Sequence, residues 1–187
     1  MGERVAITSY RESWPAEFAQ LAGGLRADFG DRALRIDHIG STAVPGLPAK
    51  DVIDIQVTVA RLAEVPATLS GLHARPIVDD HPPPGFAGDP AELAKRFFRA
   101  RAPRAVNVHV REVGRLNQRY ALLFRDYLRA TPAAAEAYAA VKRVLAAHFA
   151  DDVDTYSDVK DPVVDVVMAG AEAWACAAGW QPGPADA

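Results

Sequence analysis

The clearest pattern in the chain is an alternation over residues 52–59. Ile53, Ile55, Val57 and Val59 fall on one side of an extended strand, and Val52, Asp54, Gln56 and Thr58 on the other. Such a strand buries its apolar side and carries Asp54 and Gln56 together off the opposite side. Residues 34–39 predict a strand before it. Residues 95–100 and 105–110 predict two more, joined by the tight turn Arg101-Ala102-Pro103-Arg104. In the last strand Val106, Val108 and Val110 share one face, and Asn107 and His109 the other. Residues 4–8 alternate weakly and suggest an edge strand.

Helical spacing takes over elsewhere. Phe18, Leu21, Leu25 and Phe29 recur as one apolar stripe, opened by Ser13 as cap with Pro15 in the first turn and stopped at Gly30-Asp31. Gly23 and Gly24 weaken that helix by about 1 kcal/mol each relative to alanine. Leu62, Val65, Leu69 and Leu72 predict a short helix over 62–73, and the Pro/Gly-rich residues 78–90 an irregular loop. Helices are expected over 115–130, 132–149 and 152–178, with Thr131-Pro132 as cap and first residue of the second. Asp161-Pro162 is expected to split the last one in two. The fold class is therefore α+β: a small mixed β-sheet with flanking helices and a helical C-terminal half. Residues 1–178 form one expected domain (1–112 sheet-containing, 113–178 helical), and residues 179–187 a flexible tail.

Composition narrows the functional classes. At 187 residues, with 50% hydrophobic and 24% charged residues, the chain is ordinary for a soluble globular protein. Its single cysteine, Cys176, excludes an internal disulfide framework and a cysteine-based zinc site, and fits a reducing cytosol. The N-terminus lacks the apolar core of a secretory signal. The apolar stretch 163–178 contains Asp165 and Glu172 and is too short to span a bilayer. These features predict a cytoplasmic protein without membrane contact. A net charge of -3 argues against dedicated duplex nucleic-acid binding. Yet between residues 95 and 125 lie nine basic side chains, from Lys95, Arg96, Arg99, Arg101 and Arg104 to Arg125, against the single acid Glu112. A local basic band on an acidic chain suits a small anionic ligand, or else is a solvated arginine-rich face.

Residues 38–50 carry the candidate chemistry. Gly40 permits close backbone approach to a phosphate, Ser41 and Thr42 offer hydroxyls, and Lys50 offers a cation. Asp54, thirteen residues after Ser41, is placed on a rigid strand where it could hold Mg²⁺. His38 is expected chiefly as a structural hydrogen-bonder, His109 as a metal ligand or general base if its face meets that of Asp54. Arg96 and Arg99 cannot share one face of a strand, so one faces ligand and one solvent. Asp51 is expected to pair with Lys50 or face solvent. Tyr138-x-x-x-Lys142 and Tyr156-x-x-x-Lys160 have the Tyr–Lys spacing of short-chain dehydrogenases, but no Gly-x-Gly-x-x-Gly follows a strand, so stacked neighbours on a helix are expected. No Walker A, Gly-x-Ser-x-Gly or His-Glu-x-x-His sequence is present.

The run His38-Ile39-Gly40-Ser41-Thr42-Ala43-Val44-Pro45-Gly46-Leu47, then Ala49-Lys50 and Val52-Ile53-Asp54-Ile55, resembles the GrpB family. Trp14-Pro15, Arg96-Phe97-Phe98-Arg99, Val108-His109-Val110, residues 123–129 and Tyr138…Lys142 support the resemblance, which covers roughly residues 10–175. It implies a branch of the nucleotidyltransferase superfamily with a DNA-polymerase-β-like palm. Gly40 and Ser41 would cradle a nucleoside triphosphate, and Asp54 would be the first metal carboxylate. The superfamily pattern has a second acid where this chain has Gln56, and Asn107 or His109 stands in for the third. The implied activity is transfer of a nucleotidyl or phosphoryl group to a small acceptor. The alternatives are a noncatalytic nucleotide- or anion-binding module, or a diverged reaction in the same pocket.

Overall fold

A computed structural model describes residues 4–70, 72–77 and 87–187. Its elements in chain order are α1 (Trp14–Phe29), β1 (Ala33–Ile39), β2 (Ile53–Val59), β3 (His73–Ile77), β4 (Lys95–Ala100), β5 (Val106–Glu112), α2 (Leu116–Ala130), α3 (Pro132–His148) and α4 (Val153–Ala178). Among the described residues the strands form one mixed sheet in the order β1-β2-β5-β4-β3. β2 and β5 are parallel, and the other neighbours are antiparallel. The fold is α+β.

Period two dictates the layers. Ile53, Ile55, Val57 and Val59 join Val106, Val108 and Val110 in a core under the stripe Trp14, Phe18, Leu25 and Phe29 of α1. The opposite face of β2 and β5 looks towards the helical half. There α2, α3 and α4 pack on one another around Leu123, Leu128, Ala139, Met168 and Ala171, and Val44 and Leu47 of the loop before β2 enter the same cluster. Among the described residues no helix is long and apolar enough to cross a membrane.

Several local expectations give way. Among the described residues of 62–72 the expected helix reduces to a 3₁₀ turn, Leu62–Glu64, followed by a Leu69–Leu72 bridge leading into β3. β3 is an edge strand, the one place in a sheet that accepts a proline such as Pro76. The expected strand over 4–8 reduces to a bridge between Thr8 and Ala49. Ser13 occupies the N-cap of α1 without capping; its hydroxyl donates to Glu17 instead (2.7 Å). α4 runs unbroken through Pro162, which is exposed, as is Asp158, whose carbonyl loses its helical partner and is left facing water. The loop expected over 78–90 lies largely outside the described residues. Residues 179–187, expected to be flexible, follow β1: Ala187 N–H donates to the Ile36 carbonyl (3.0 Å), and Asp186 accepts from His38 N–H (2.9 Å) and Arg125 (2.7 Å).

Candidate functional site

β1 ends at Ile39, and the chain must then turn sharply to bring residues 41–43 across the end of β2. Gly40 makes the turn at φ +69°, ψ −168°, a conformation open in practice only to glycine. A second constraint acts on the same residue: a Cβ there would lie 2.7 Å from Asp54 Oδ2. The Gly40 backbone is thus pressed against the carboxylate, and Ser41 is set beside it.

Asp54 sits across from Ile39 on one side and Asn107 on the other. Asn107 Nδ2 donates to Asp54 Oδ1 at 2.9 Å. His109, one pair further along, brings Nε2 to 3.9 Å from the same oxygen, too far for a hydrogen bond. Burial pushes the Asp54 carboxyl up, but His109, Asn107 and Lys50 more than reverse this and hold it below the usual carboxylate range. His109 is lowered, chiefly by burial, helped by Arg111 and Lys95 and opposed by Asp54. Its Nδ1 is buried with no hydrogen-bond partner among the described residues, so no second group pins the tautomer that a general base would need.

Between this sheet face and the helices lies a cleft of about 450 Å³. Ser41, Lys50 and Asp54 line it from the loop and β2, Arg99, Arg101, Asn107, His109 and Arg111 from around β4 and β5, and Tyr138, Lys142, Tyr156, Lys160 and Asp161 from α3 and α4. Six basic side chains thus face two carboxylates, Asp54 and Asp161. Lys160 is paired with Asp161 (2.5 Å), and Lys50 lies 5.4 Å from the centre of the Tyr156 ring. A field of this sign gathers a compact polyanion.

The geometry sorts the residues expected from sequence. Gly40, Ser41, Lys50, Asp54, Arg99 and His109 come together at the cleft. Of the two arginines, Arg99 faces it, donating to Asn107 Oδ1 (3.2 Å), whereas Arg96 is exposed on the strand's other face. Thr42 borders the cleft, but its hydroxyl is buried between His38 Nε2 (3.0 Å) and the Val52 carbonyl (3.4 Å). His38 is buried, stacked flat on Phe18 and absent from the cleft, as expected of a structural residue. Asp51 does not pair with Lys50: it accepts from Arg11 (2.6 Å), Trp14 Nε1 (2.9 Å) and Arg104 (2.7 Å), clamping the start of α1 to the loop before β2. Gln56 points off the core face as expected but not into the cleft. It is 0% exposed, donates to the Gln118 carbonyl of α2 (3.1 Å) and accepts from Arg111 (2.6 Å).

The helical side of the site holds Tyr138 and Lys142, expected from sequence only as part of the family resemblance and as neighbours on a helix. Lys142 is 3% exposed and donates to Ser41 Oγ (2.9 Å) and to the Pro48 carbonyl (2.6 Å). The available signal was the pair of Tyr-x-x-x-Lys spacings, which set Tyr138 and Lys142 on one face of α3 and Tyr156 and Lys160 on one face of α4.

Residues 4–169 match the family described as GrpB protein. The crystal structure of conserved protein GrpB from Enterococcus faecalis superposes with a TM-score of 0.71 at 26% identity, over 90% of this chain and 99% of that one. The UPF0157 protein BH1888 of Halalkalibacterium halodurans is 33% identical over 172 residues, 90% of this chain and 83% of that protein. A dephospho-CoA kinase of Mycolicibacterium paratuberculosis is 39% identical over 193 residues, 90% of this chain and 46% of the kinase. The chain thus spans about half the length of the dephospho-CoA kinases it matches. With a family match over most of its length and a solved GrpB structure of the same fold, the chain belongs to the GrpB family.

Proposed function

We propose that the cleft binds a nucleoside triphosphate with Mg²⁺ and moves its nucleotidyl or phosphoryl group onto a small acceptor, in the manner of the nucleotidyltransferase superfamily. The observation that carries this reading is Asp54, fixed on a central strand against Gly40 and facing a cleft ringed by Lys50, Arg99, Arg101, Arg111, Lys142 and Lys160. The donor set fits one Mg²⁺, not two. Among the described residues no group of three or more His, Cys, Asp and Glu side chains converges. Asp54 offers one carboxylate, and Mg²⁺ commonly binds through one or two carboxylates plus substrate phosphates. The ion would supply charge neutralisation on the phosphates. The chain's own cations would orient the polyphosphate and share that neutralisation, which is most of what phosphoryl transfer requires of a protein. The name dephospho-CoA kinase among the relatives agrees with a nucleotide ligand.

A second reading keeps the binding and drops the chemistry. It is favoured by Gln56, whose amide is sealed between Arg111 and α2 where the superfamily carries its second acid. Thermal denaturation with ATP, GTP, CTP and UTP, with and without Mg²⁺, tests the first reading. A ligand at a hundred times its Kd adds about 2.7 kcal/mol, roughly 5–10 °C in Tm for a chain of this size. The expected result is a Mg²⁺-dependent rise lost in Asp54→Asn. A rise that needs no metal and survives Asp54→Asn selects the binding module, and no rise with any nucleotide overturns both.

A further inference from the structure

Ser41, Lys142 and Tyr138 converge from distant parts of the chain. The loop after β1 brings Ser41 to the cleft, and one face of α3 brings Tyr138 and Lys142. Lys142 Nζ lies 2.9 Å from Ser41 Oγ and 4.6 Å from the centre of the Tyr138 ring. Lys142 is almost wholly enclosed and, among the described residues, has no carboxylate partner; its bonds are to a hydroxyl and a carbonyl. A lysine kept only for charge would be expected to meet an acid or water. A neutral amine can serve the same two partners, giving an N–H to the Pro48 carbonyl and, with the Ser41 hydroxyl turned to donate, taking the Ser41 proton on its lone pair.

We infer that Ser41 is a nucleophile and Lys142 its general base, so that the protein carries the transferred phosphorus group covalently on Ser41. The inference rests on the proposed nucleotide chemistry for its natural substrate, but not for the reactivity of the serine itself. In the step, Ser41 Oγ forms a bond to a phosphorus of the bound triphosphate and the bridging P–O bond breaks. The electron pair leaves with pyrophosphate when the α-phosphorus is attacked, or with the nucleoside diphosphate when it is the γ-phosphorus. The serine proton passes to Lys142 Nζ; when the acceptor hydroxyl later attacks the phosphorus, the Ser41 Oγ–P bond breaks, Lys142 returns its proton to Ser41 Oγ, and the acceptor's proton is released to solvent.

The lysine's surroundings agree. Burial is the largest influence on Lys142, Lys160, Arg143 and Lys50 push the same way, and Asp54 opposes them; together they bring it down to about 7. Nucleophile and base within hydrogen-bond reach, beside a cationic cleft, is the arrangement covalent catalysis needs.

A fluorophosphonate probe tests the nucleophile without requiring nucleotide recognition, because Ser41 Oγ replaces fluoride at phosphorus with the same transfer of a proton to Lys142. The expected result is an adduct on the Ser41 peptide, absent in Ser41→Ala, with a labelling rate that rises through pH 7. Lys142→Arg keeps a cation to hold the Pro48 carbonyl but cannot take the proton, so labelling should slow by roughly 10²-fold or more and lose the rise near pH 7. No adduct on Ser41, or an unchanged rate and pH profile in Lys142→Arg with a native melting curve, overturns the inference. A parallel incubation with ATP and Mg²⁺ reads the intact mass for a gained nucleotidyl or phosphoryl group. If ATP raises the Tm but leaves no adduct in a protein that the probe labels, the covalent transfer fails while the binding reading stands. If the probe labels Ser41 and no nucleotide binds, the nucleophile stands and the proposed substrate class falls.

Discussion

At the scale of single residues, Gly40 and His38 do the least visible and most constrained work. Gly40→Ala combines a conformation that costs a side chain about 1–3 kcal/mol with a Cβ placed 2.7 Å from Asp54 Oδ2. Urea denaturation should show a loss above 2 kcal/mol, and the Mg²⁺-dependent Tm rise should vanish because Asp54 is displaced. Gly46 has a similar φ of +77° but open space around it, so Gly46→Ala should cost only the conformational share, about 1 kcal/mol, and leave the Tm rise in place. His38 is pressed down to about 4 by burial, with Arg129 and Arg125 adding to the effect and Asp54 and Asp186 opposing it. A depressed histidine stays neutral in the fold while the unfolded chain takes up a proton below about 6.5. Stability is therefore fully present above that pH and drains away as pH falls towards 4, by at most about 3 kcal/mol for this group. Urea titrations at pH 7.5 and 5.0 should show the loss, and His38→Asn should flatten the slope, leaving the share of His109, which is lowered in the same direction.

At the scale of elements, β2 and β5 were readable because their aliphatic residues recur with period two, which assigns Ile53, Ile55, Val106 and Val108 to the core and Asp54 and His109 to the opposite side. β3 was not readable: it is an edge strand of only five residues carrying Pro76, and helical spacing at Leu62, Val65 and Leu69 outweighed it. The site was half legible for a similar reason. Gly40, Ser41, Lys50 and Asp54 lie close in sequence, whereas Lys142 and Tyr138 reach Ser41 only through the packing of α3, which no local pattern records. The basic band illustrates the limit. Arg99, Arg101 and Arg111 enter the cleft, but Arg104, Arg115 and Arg119 are taken by Asp51 and Glu17, by Glu92 and Glu112, and by Glu172. Pro162 marks where a strong local rule loses to packing, since both halves of α4 are held against α2 and α3. Pro162→Ala restores a donor for the exposed Asp158 carbonyl and relieves the ring's crowding of the preceding turn. An interior proline costs a helix about 3 kcal/mol, so a gain of roughly 1–3 kcal/mol in urea is expected, with no change in nucleotide response, because Pro162 does not line the cleft.

At the scale of the whole molecule, the C-terminal tail meets β1 and α2 behind the Gly-Ser loop. Arg125 of α2 is buried, and its guanidinium donates to the His38 carbonyl (3.1 Å), Asp126 (2.7 Å) and Asp186 (2.7 Å), with Asp37 at 3.8 Å. Asp186 in turn accepts from the His38 N–H, so the last residues tie β1, at the strand end that feeds Gly40, to the helical half. This strap joins the sheet to the helices without touching the cleft, since neither Arg125 nor Asp186 lines it. Asp186→Ala leaves a buried N–H and part of a buried guanidinium without their acceptor, a loss of about 1–3 kcal/mol in urea. If the strap acts only on stability, the Mg²⁺-dependent Tm rise of this variant will match that of the wild type from a lower starting Tm. If the strap fixes the loop, the rise will shrink along with the stability. The structure favours the first outcome, because Gly40 and Ser41 are also held by Asp54 and Lys142, neither of which depends on the tail.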